Sequence, residues 1–200
     1  MFTGIITQKG KIKKIKSLNG KIYFAIAAPN FLRGAKIGDS VACDGVCLTL
    51  VKIAKDEFEV ELMPETLRLT KFQDAAAGSS VNLERSLKIG DRLDGHFVSG
   101  HIDDVGIIKE IAKDGDYTDL IINASAPLMK YFARKGSAAV NGVSLTIAGI
   151  GKDWFKVCLI THTLTVTNLS ELKIGDKVNL EVDMIARYLE QLLKTKNYGK

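Results

Sequence analysis

Apolar and polar residues alternate along most of the first half of the chain, with the period of two that is typical of half-buried β-strands. GKIKKIKSLNGKIYFAIAAP contains two such segments on either side of Asn19-Gly20, the dipeptide that most strongly favours a tight hairpin. DSVACDGVCLTLVKIAKDEFEVELM continues with three strands, separated by turns at Asp44-Gly45 and Lys55-Asp56. VNLE, at residues 81–84, follows as another strand. About six short strands with a turn every ~8–12 residues predict a small closed all-β barrel.

The same pattern is repeated in the second half of the chain. When residues 40–84 are compared with residues 137–181, a shift of 97 positions, 20 of the 45 pairs are identical, against about 3 expected by chance. The clearest pairs are DGVCLTL with NGVSLTI, ETL with HTL, and VNLE with VNLE. Such a long period indicates a duplicated domain. We therefore expect two barrels at residues 1–93 and 94–183, and a C-terminal helix with a basic tail at residues 184–200.

Helical segments are predicted between and after the strands. Pro64 stands where the first residue of a helix would, before ETLRLT, and APLMKYFARKG is predicted as a helix with Gly136 at its C′ position. After Asp183, a good N-cap, apolar residues recur at helical spacing: Met184, Ile185, Tyr188, Leu189, Leu192 and Leu193. The repeat contains no partner for this stripe, so we expect it to pack against another subunit; packing on the chain's own barrels is the alternative.

Composition and charge argue against several classes of protein. No apolar run approaches the ~18 residues of a membrane span, and the N-terminus lacks the charge order of a signal peptide. The net charge of +5 comes from lysines concentrated at residues 9–21 and 194–200, which we interpret as solvated surfaces rather than a nucleic-acid site. Three cysteines, Cys43, Cys47 and Cys158, are too few for a disulfide scaffold and favour the reducing cytoplasm.

The two copies share polar positions that suit a small ligand. The shared pairs are Ser40 with Ser137, Thr49 with Thr146, and Thr66 with Thr163. Hydroxyl and main-chain groups of this kind can donate or accept hydrogen bonds to the carbonyls and ring nitrogens of a neutral heteroaromatic ligand. Two similar barrels with the same polar groups predict that the same kind of ligand binds twice. The alternative is that threonine simply favours strands.

The copies differ at a few positions that can carry chemistry. The differing pairs are Cys47 with Ser144, Glu65 with His162, and residues 2–4 with the histidine-containing residues 96–101. A lone cysteine or histidine is more often structural, but their joint occurrence at equivalent edges of two binding sites favours catalysis. Zinc-ligand spacings such as C-x₂-C and glycine-rich phosphate loops are absent, so we expect neither a metal nor a nucleotide cofactor.

Several motifs are characteristic of one family. They are MFTGII at the N-terminus, GVCLT and PETLRLT in the first half, and DGHFVSGHID, NGVSLT and HTLTVTNL in the second. Together they resemble the riboflavin synthase family, of the trimeric α-chain type. The resemblance covers essentially all 200 residues, and MFTGI with SGHID, each at its expected end of the 97-residue duplication, forms a highly specific pair.

The resemblance implies two six-stranded Greek-key lumazine-binding barrels and a C-terminal helix that trimerises the chain. It implies a dismutation in which one 6,7-dimethyl-8-ribityllumazine donates a four-carbon unit to another, giving riboflavin and 5-amino-6-(D-ribitylamino)uracil. No cofactor is expected, because the lumazine ring itself serves as the electron sink. The active site is expected between the first barrel of one subunit and the second barrel of its neighbour, and an association with lumazine synthase is left open.

The resemblance also assigns roles to residues of the site. His101 is matched to proton transfer, Cys47 and Ser40 to nucleophilic addition or the positioning of water, and Phe2 to an aromatic group that closes over the site. Asp183 is matched to a carboxylate near the site, besides its role as an N-cap. The expected substrate-binding residues are Gly4, Ile5, Ile6, Val46, Leu48, Thr49, Glu61, Leu62, Met63, Thr66, Gly100, Ile102, Lys135, Val143, Ser144, Leu145, Thr146, Cys158, Leu159, Ile160 and Thr163.

Two other functions stay open at this point. A non-catalytic lumazine- or flavin-binding antenna protein would be built on the same two barrels, but it would have no need of Phe2, Cys47 and His101 together. A basic oligonucleotide-binding barrel protein is the third candidate, and only the net charge supports it.

Overall fold

The structure, a computed structural model, describes residues 1–195 and contains two closed six-stranded antiparallel barrels. Barrel one has the strand order β1-β2-β5-β4-β3-β6 around its circumference. Its strands are β1 (Gln8–Leu18), β2 (Lys21–Ala27), β3 (Ser40–Cys43), β4 (Val46–Ile53), β5 (Glu57–Leu62) and β6 (Ser80–Arg85). The barrel predicted from the alternating pattern is confirmed.

Barrel two repeats the same cyclic strand order, so the duplication seen in the sequence is a duplication of the fold. Its strands are β7 (Asp104–Asp114), β8 (Tyr117–Asn123), β9 (Ser137–Val140), β10 (Val143–Ile150), β11 (Trp154–Leu159) and β12 (Lys177–Val182). The helices are α1 (Pro64–Arg68), α2 (Ala126–Met129), α3 (Thr161–Val166) and α4 (Met184–Thr195), with 3₁₀ turns at Lys71–Asp74 and Asn168–Glu171. The expected divisions after residues 93 and 183 fall outside the strands and stay predictions.

The tight turns follow the predicted chemistry. Asn19 and Gly20 join β1 to β2 with φ values of 51° and 75°, and Asp44 and Gly45 join β3 to β4 with 45° and 80°. Both pairs have the positive φ at two successive residues that a two-residue hairpin of the primed type requires. Pro64 is the first residue of α1, as predicted.

The helix predicted over APLMKYFARKG is largely wrong. α2 ends at Met129, and residues 130–136 continue as turns and irregular backbone. The left-handed residue before β9 is Lys135, with φ 69°, rather than Gly136. Leu128 and Phe132 are buried in the core of barrel two, so burial of these apolar side chains decides the path of the segment instead of helix propensity.

Each barrel has its own apolar core. Phe24, Phe58 and Leu62 are fully buried, or nearly so, in barrel one, as are Phe155 and Ile122 in barrel two. Closure of the sheet leaves both cores inside the strands, and the two barrels therefore meet through other groups.

The barrels are joined by a buried polar network centred on Asp44, whose side chain is fully buried. One carboxylate oxygen pairs with Lys71 Nζ at 2.8 Å. The other accepts hydrogen bonds from Asn82 N and Asn168 Nδ2, each at 2.8 Å. Asn179 Nδ2 of barrel two donates to the Asp44 carbonyl at 2.9 Å. Because every one of these bonds is directional, the network sets how one barrel is oriented on the other.

Helix α4 leaves the end of barrel two and keeps most of its apolar stripe exposed. Asp183 Oδ1 accepts from Ile185 N at 3.0 Å, which confirms Asp183 as the N-cap. The exposed apolar residues are Ile185, Tyr188, Leu189, Leu192 and Leu193, between 54% and 66% exposed. Glu190 anchors the opposite side through Lys130 and Tyr131, and hydrogen bonds from Lys130, Lys194 and Tyr131 lower the pKa of its carboxyl group to about 2. Residues 196–200 of the predicted basic tail lie outside the described residues.

Candidate functional site

The first residues of the two repeats pair with each other between the barrels. Phe2 N donates to Val98 O at 2.7 Å, Val98 N donates to Phe2 O at 3.1 Å, and His96 N donates to Thr3 O at 3.1 Å. These bonds form a short antiparallel bridge between residues 2–3 and residues 96–98. The side chain of Phe2 is fully buried there, packed with Ala42 and Ala139.

From this bridge each segment continues onto the barrel of the other repeat. Ser144 N, on barrel two, donates to Gly4 O at 2.8 Å, and Cys47 N, on barrel one, donates to Gly100 O at 2.9 Å. Ile6 is buried in the core of barrel two, and Ile102 packs against the core of barrel one. Each barrel is therefore closed at its edge by the segment that begins the other repeat.

Both contacts require glycine. Gly100 has φ +83°, and a Cβ there would lie 2.5 Å from Cys47 Cβ. Gly4 has φ +76°, and a Cβ there would lie 2.6 Å from Ser144 Cβ. An L side chain would be strained by the left-handed backbone and would collide with the neighbouring strand. The glycines in MFTG and SGH are explained by this close approach.

Two buried glutamates hold the crossing segments. Glu84 accepts from the backbone N–H groups of Thr3 (2.7 Å) and Gly4 (3.0 Å), and Glu181 accepts from those of Ser99 (2.6 Å) and Gly100 (2.9 Å). Glu84 also accepts a hydrogen bond from the hydroxyl group of Thr3, and Glu181 accepts one from the hydroxyl group of Ser99. Burial raises the pKa of both carboxyl groups, and these hydrogen bonds to the charged form oppose the rise. The sequence pattern predicts only strands for the two VNLE motifs, and the role of their glutamates has no local signal.

Barrel one carries a cleft that we call cleft one, with a cavity of about 160 Å³. Its walls are Val46 and Cys47 from β4, Glu65 and Thr66 from α1, and Gly100, His101 and Ile102 from the crossing segment. Cys47 is partly exposed and His101 is exposed, so both can reach a ligand. The resemblance implies a site between the first barrel of one subunit and the second barrel of its neighbour, whereas the thiol of Cys47 and the imidazole of His101 lie beside one cavity of a single chain.

Barrel two has an equivalent region, which we call cleft two and define by Gly4, His96, Ser144, Thr146 and Asp183. His96 Nδ1 lies 2.7 Å from Ser144 Oγ, a hydrogen bond whose direction depends on the imidazole tautomer. Burial lowers the pKa of His96, and the nearby Asp183 carboxylate raises it to a smaller extent. The neutral imidazole is therefore favoured at this position. The sequence comparison identifies His96 only as one of the residues at which the two repeats differ. Its hydrogen bond with Ser144, 48 positions away, has no local sequence signal.

The other predicted residues lie on equivalent elements of the two barrels. On barrel one, Thr49 is paired with Ser40 in the β3–β4 ladder and with Glu61 in the β4–β5 ladder. Glu61 also binds Lys21 Nζ at 2.9 Å and Tyr23 Oη at 3.1 Å, which lower its pKa. The remaining barrel-one residues are Leu48 on β4, Leu62 at the end of β5, and Met63 directly before α1.

On barrel two, the predicted residues follow the same order. Val143, Ser144, Leu145 and Thr146 lie on β10, Cys158 and Leu159 end β11, and Ile160 and Thr163 are at the start of α3, with Lys135 before β9 and Ile5 between Gly4 and Ile6. Exposed Cys158 lies opposite Asp119 on β8, and this carboxylate raises the pKa of the thiol. These predicted residues therefore lie on equivalent elements of the two barrels, and their roles in substrate binding stay predictions.

Among residues 1–195, no three or more His, Cys, Asp or Glu side chains are grouped in a way that could hold a metal ion. All three cysteines are free thiols. Among the described helices, none has the length and apolar character needed to span a bilayer.

Comparisons with known proteins agree with the duplicated fold. The Lumazine binding domain family model matches residues 3–86 and again residues 99–183. The chain is 43% identical to riboflavin synthase of Brucella abortus over 96% of this chain and 98% of the relative. It is 42% identical to riboflavin synthase of Bacillus subtilis over 100% of this chain and 93% of the relative.

A solved structure provides a ligand-bound neighbour. The structure of LumP complexed with 6,7-dimethyl-8-(1'-D-ribityl) lumazine matches with a TM-score of 0.82 and 26% identity, over 91% of this chain and 99% of LumP. The amino-acid sequence of this chain is therefore more similar to the two riboflavin synthases than to LumP.

Proposed function

The chain belongs to the riboflavin synthase family, and we propose that each cleft binds one lumazine, with cleft one of one subunit facing cleft two of a neighbour. The reaction is the dismutation of two 6,7-dimethyl-8-ribityllumazine molecules into riboflavin and 5-amino-6-(D-ribitylamino)uracil, the last step of riboflavin biosynthesis. The observation that carries the proposal is that equivalent regions of the two barrels carry different polar groups: a thiol and an imidazole line the cavity of barrel one, and a hydroxyl bonded to an imidazole lies on barrel two. Two identical substrate molecules must play different parts, and differently equipped clefts can impose that difference.

In cleft one, His101 transfers a proton and Cys47 supports addition at the lumazine ring. The 7-methyl group of a lumazine is acidic because its carbanion is delocalised into the ring, and an exposed imidazole is suited to exchange that proton near neutral pH. Cys47, which lines the same cavity, adds as a nucleophile or positions water, with Ser40 on the adjacent strand.

In cleft two, Ser144 and Thr146 bind the ring and Asp183 supplies a carboxylate nearby. The hydrogen bond between Ser144 Oγ and His96 orients the hydroxyl, and the neutral imidazole can accept its proton. Holding the two lumazine rings together in one orientation contributes strongly to the rate, because it raises their effective molarity. This contribution does not depend on the chemistry of any single side chain.

The resemblance matches Phe2 to an aromatic group that closes over the site, and this role stays a prediction. Its side chain is fully buried between the barrels in this structure. We propose that Phe2 acts on the site by anchoring Thr3 and Gly4 against Ser144, so that cleft two keeps its shape.

We also propose a homotrimer joined through helix α4. Five large apolar side chains of α4 are exposed on one chain, and a surface of this kind is typical of a subunit interface. A cytoplasmic location is proposed from the three free thiols, and an association with lumazine synthase stays a prediction.

The shared site is tested by mixing inactive chains. His101→Ala disables cleft one and Ser144→Ala disables cleft two, and each homo-oligomer should form riboflavin far more slowly than wild type. Random mixed trimers pair an intact cleft one with an intact cleft two at about a quarter of their interfaces, so activity should return to about that fraction. Mixed trimers without any recovered riboflavin formation would mean that both clefts of a working site belong to one chain.

A passive antenna role is not favoured, since the chain is about 40% identical to the synthases and 26% identical to LumP. Formation of riboflavin from the lumazine alone separates the two functions.

A further inference from the structure

The segment that carries His101 has a second anchor, provided by the first turns of helix α4. Arg187 Nη2 donates to the His101 carbonyl at 3.2 Å and to Asp103 Oδ2 at 2.8 Å. Asp103 Oδ2 also accepts from Val182 N, at the end of β12, at 2.8 Å. One guanidinium thus binds the backbone of His101 and the side chain two residues further on.

Together with Glu181, this anchor holds the segment from both sides of His101. Glu181 binds Ser99 and Gly100, which precede the histidine, and Arg187 binds the carbonyl of His101 itself and Asp103 after it. Glu181 lies on β12 and Arg187 on α4, so both belong to the junction where barrel two ends. The last strand and the C-terminal helix of the second repeat therefore orient a histidine that faces the cavity of the first.

The equivalent segment of the first repeat has only one of these anchors. Glu84 holds Thr3 and Gly4 as Glu181 holds Ser99 and Gly100. At the position of Asp103, 96 residues earlier, the first repeat has Thr7, which bonds Leu83 O of its own barrel. At the position of Arg187, 97 residues earlier, it has Gly90. The ionic anchor occurs only where the segment presents an exposed imidazole.

We propose that Arg187, paired with Asp103, is a positioning residue that fixes the His101 backbone and thereby the geometry of cleft one. The proposal rests on the proposed function in one respect, the assignment of His101 to proton transfer. Both bonds come from Nη2, whose two N–H groups are fixed in the guanidinium plane and bind a carbonyl and a carboxylate at once, whereas the ammonium group of a lysine ends a shorter and more flexible side chain. Both partners are partly solvent-exposed, at 33% and 18% of the side chain, so the pair contributes little to global stability.

The test compares Arg187→Met, which keeps the apolar stem, with Arg187→Lys and with the matched control Lys16→Met. Lys16 forms a similar ion pair with Glu59 on the outer surface of barrel one, away from both clefts. We expect Arg187→Met to lower kcat for riboflavin formation by about 10-fold to 100-fold with a much smaller change in KM, since misplacement of a reacting group affects the chemical step. Arg187→Lys should lie between Arg187→Met and wild type, and Lys16→Met should match wild type.

A second readout follows the segment itself and does not depend on turnover. Cys47 N is bonded to Gly100 O, so a loosened segment should expose the Cys47 thiol and raise its alkylation rate by iodoacetamide by about 10-fold. Exposed Cys158 is the internal reference in the same digest and should react at an unchanged rate. Thermal unfolding of all variants should coincide with wild type and thereby exclude a global loss of structure.

The outcomes separate the proposal from the proposed function. If His101→Gln is impaired while Arg187→Met has wild-type kcat and wild-type Cys47 labelling, the positioning role of Arg187 is overturned. If His101→Gln is as active as wild type, the role given to His101 fails, and the Cys47 labelling rate alone then decides whether Arg187 holds the segment. A fall in kcat with faster Cys47 labelling in Arg187→Met supports the proposal.

Discussion

Cleft one and cleft two have the same backbone arrangement and differ in the side chains that a ligand can reach. In both, a strand residue donates its N–H to the carbonyl of a left-handed glycine, and a buried glutamate holds the crossing segment. Cleft one exposes an imidazole beside a thiol, whereas cleft two holds its imidazole, 8% exposed, against a hydroxyl. The two repeats share these backbone hydrogen bonds and differ in the reactive side chains beside them. A reaction between two identical molecules gains its asymmetry from this difference.

The interface between the barrels shows the same principle away from the clefts. Asp44 and Lys71 form a buried ion pair in the first repeat, and the equivalent residues of the second repeat are the amides Asn141 and Asn168. Asn141 Oδ1 accepts from Asn179 N just as Asp44 Oδ1 accepts from Asn82 N. The hydrogen-bond pattern is common to both repeats, and only the charge is particular to one.

The largest expected effect comes from breaking the glycine contact of one cleft at a time. Gly100→Ala would place a Cβ 2.5 Å from Cys47 Cβ and 2.9 Å from its backbone nitrogen, neither of which can move freely. We expect kcat/KM for riboflavin formation to fall by about 100-fold or more, and Gly4→Ala to act similarly through Ser144. Gly78→Ala is the control, because Gly78 has φ +97° with no atom within 4 Å and so reports backbone strain alone. Equal losses in all three variants would mean that strain, not the close contact, is responsible.

A smaller effect, on stability, is expected from converting the ion pair of the first repeat into the amides of the second. Asp44→Asn leaves Lys71 without its buried counter-charge and should lower the free energy of unfolding by about 3 kcal/mol, measured by urea denaturation. The double variant Asp44→Asn/Lys71→Asn should recover most of that loss, since the second repeat already uses amides at both positions. A double variant no more stable than Asp44→Asn would show that the first repeat depends on the charge.

The smallest effect is expected in the pH dependence of the free energy of unfolding, through His96 of cleft two. Burial holds the folded-state pKa of His96 below 6.5, so the unfolded chain binds a proton more readily between that lowered value and pH 6.5. Stability is therefore lost as the pH falls below 6.5, and His96→Gln should remove this part of the slope. Free energy of unfolding is measured against pH for wild type and for His96→Gln. The difference between these two curves reports His96 alone, because the buried carboxyl groups of Glu84 and Glu181 are present in both proteins. A titration of the imidazole by NMR at or above its usual pKa would contradict the assignment.

Much of the fold could be predicted because its signals are local. Asn19-Gly20 and Asp44-Gly45 determine turns through residues that tolerate positive φ, and alternation determines which strand face is buried. The segment after α2 could not be predicted in this way. Its apolar residues have a helix-like spacing, but burial of Phe132 in the core of barrel two ends the helix at Met129.

The candidate site was predicted as a set of residues but not as an arrangement. The repeat comparison identified Cys47, Ser144 and the histidines as the positions where the halves differ, and the family motifs assigned them roles. The pairing of His96 with Ser144 and the anchor between Arg187 and His101 join residues 48 and 86 positions apart, and no local pattern marks them.

The sequence by itself determined two similar barrels, their turns, and the residues that make one half chemically unlike the other. Tertiary structure alone decided that each repeat's first segment crosses to the other barrel, which places His101 beside Cys47 and Gly4 beside Ser144. The physical reason is that turns and strand faces depend on φ preferences and burial within a few residues. The crossing depends instead on partners that are far apart in the chain. Backbone N–H groups of Cys47 and Ser144 and the amide of Asn179 bond groups in the other half of the chain, and the buried carboxylates of Glu84 and Glu181 bond segments 81 positions away in their own half.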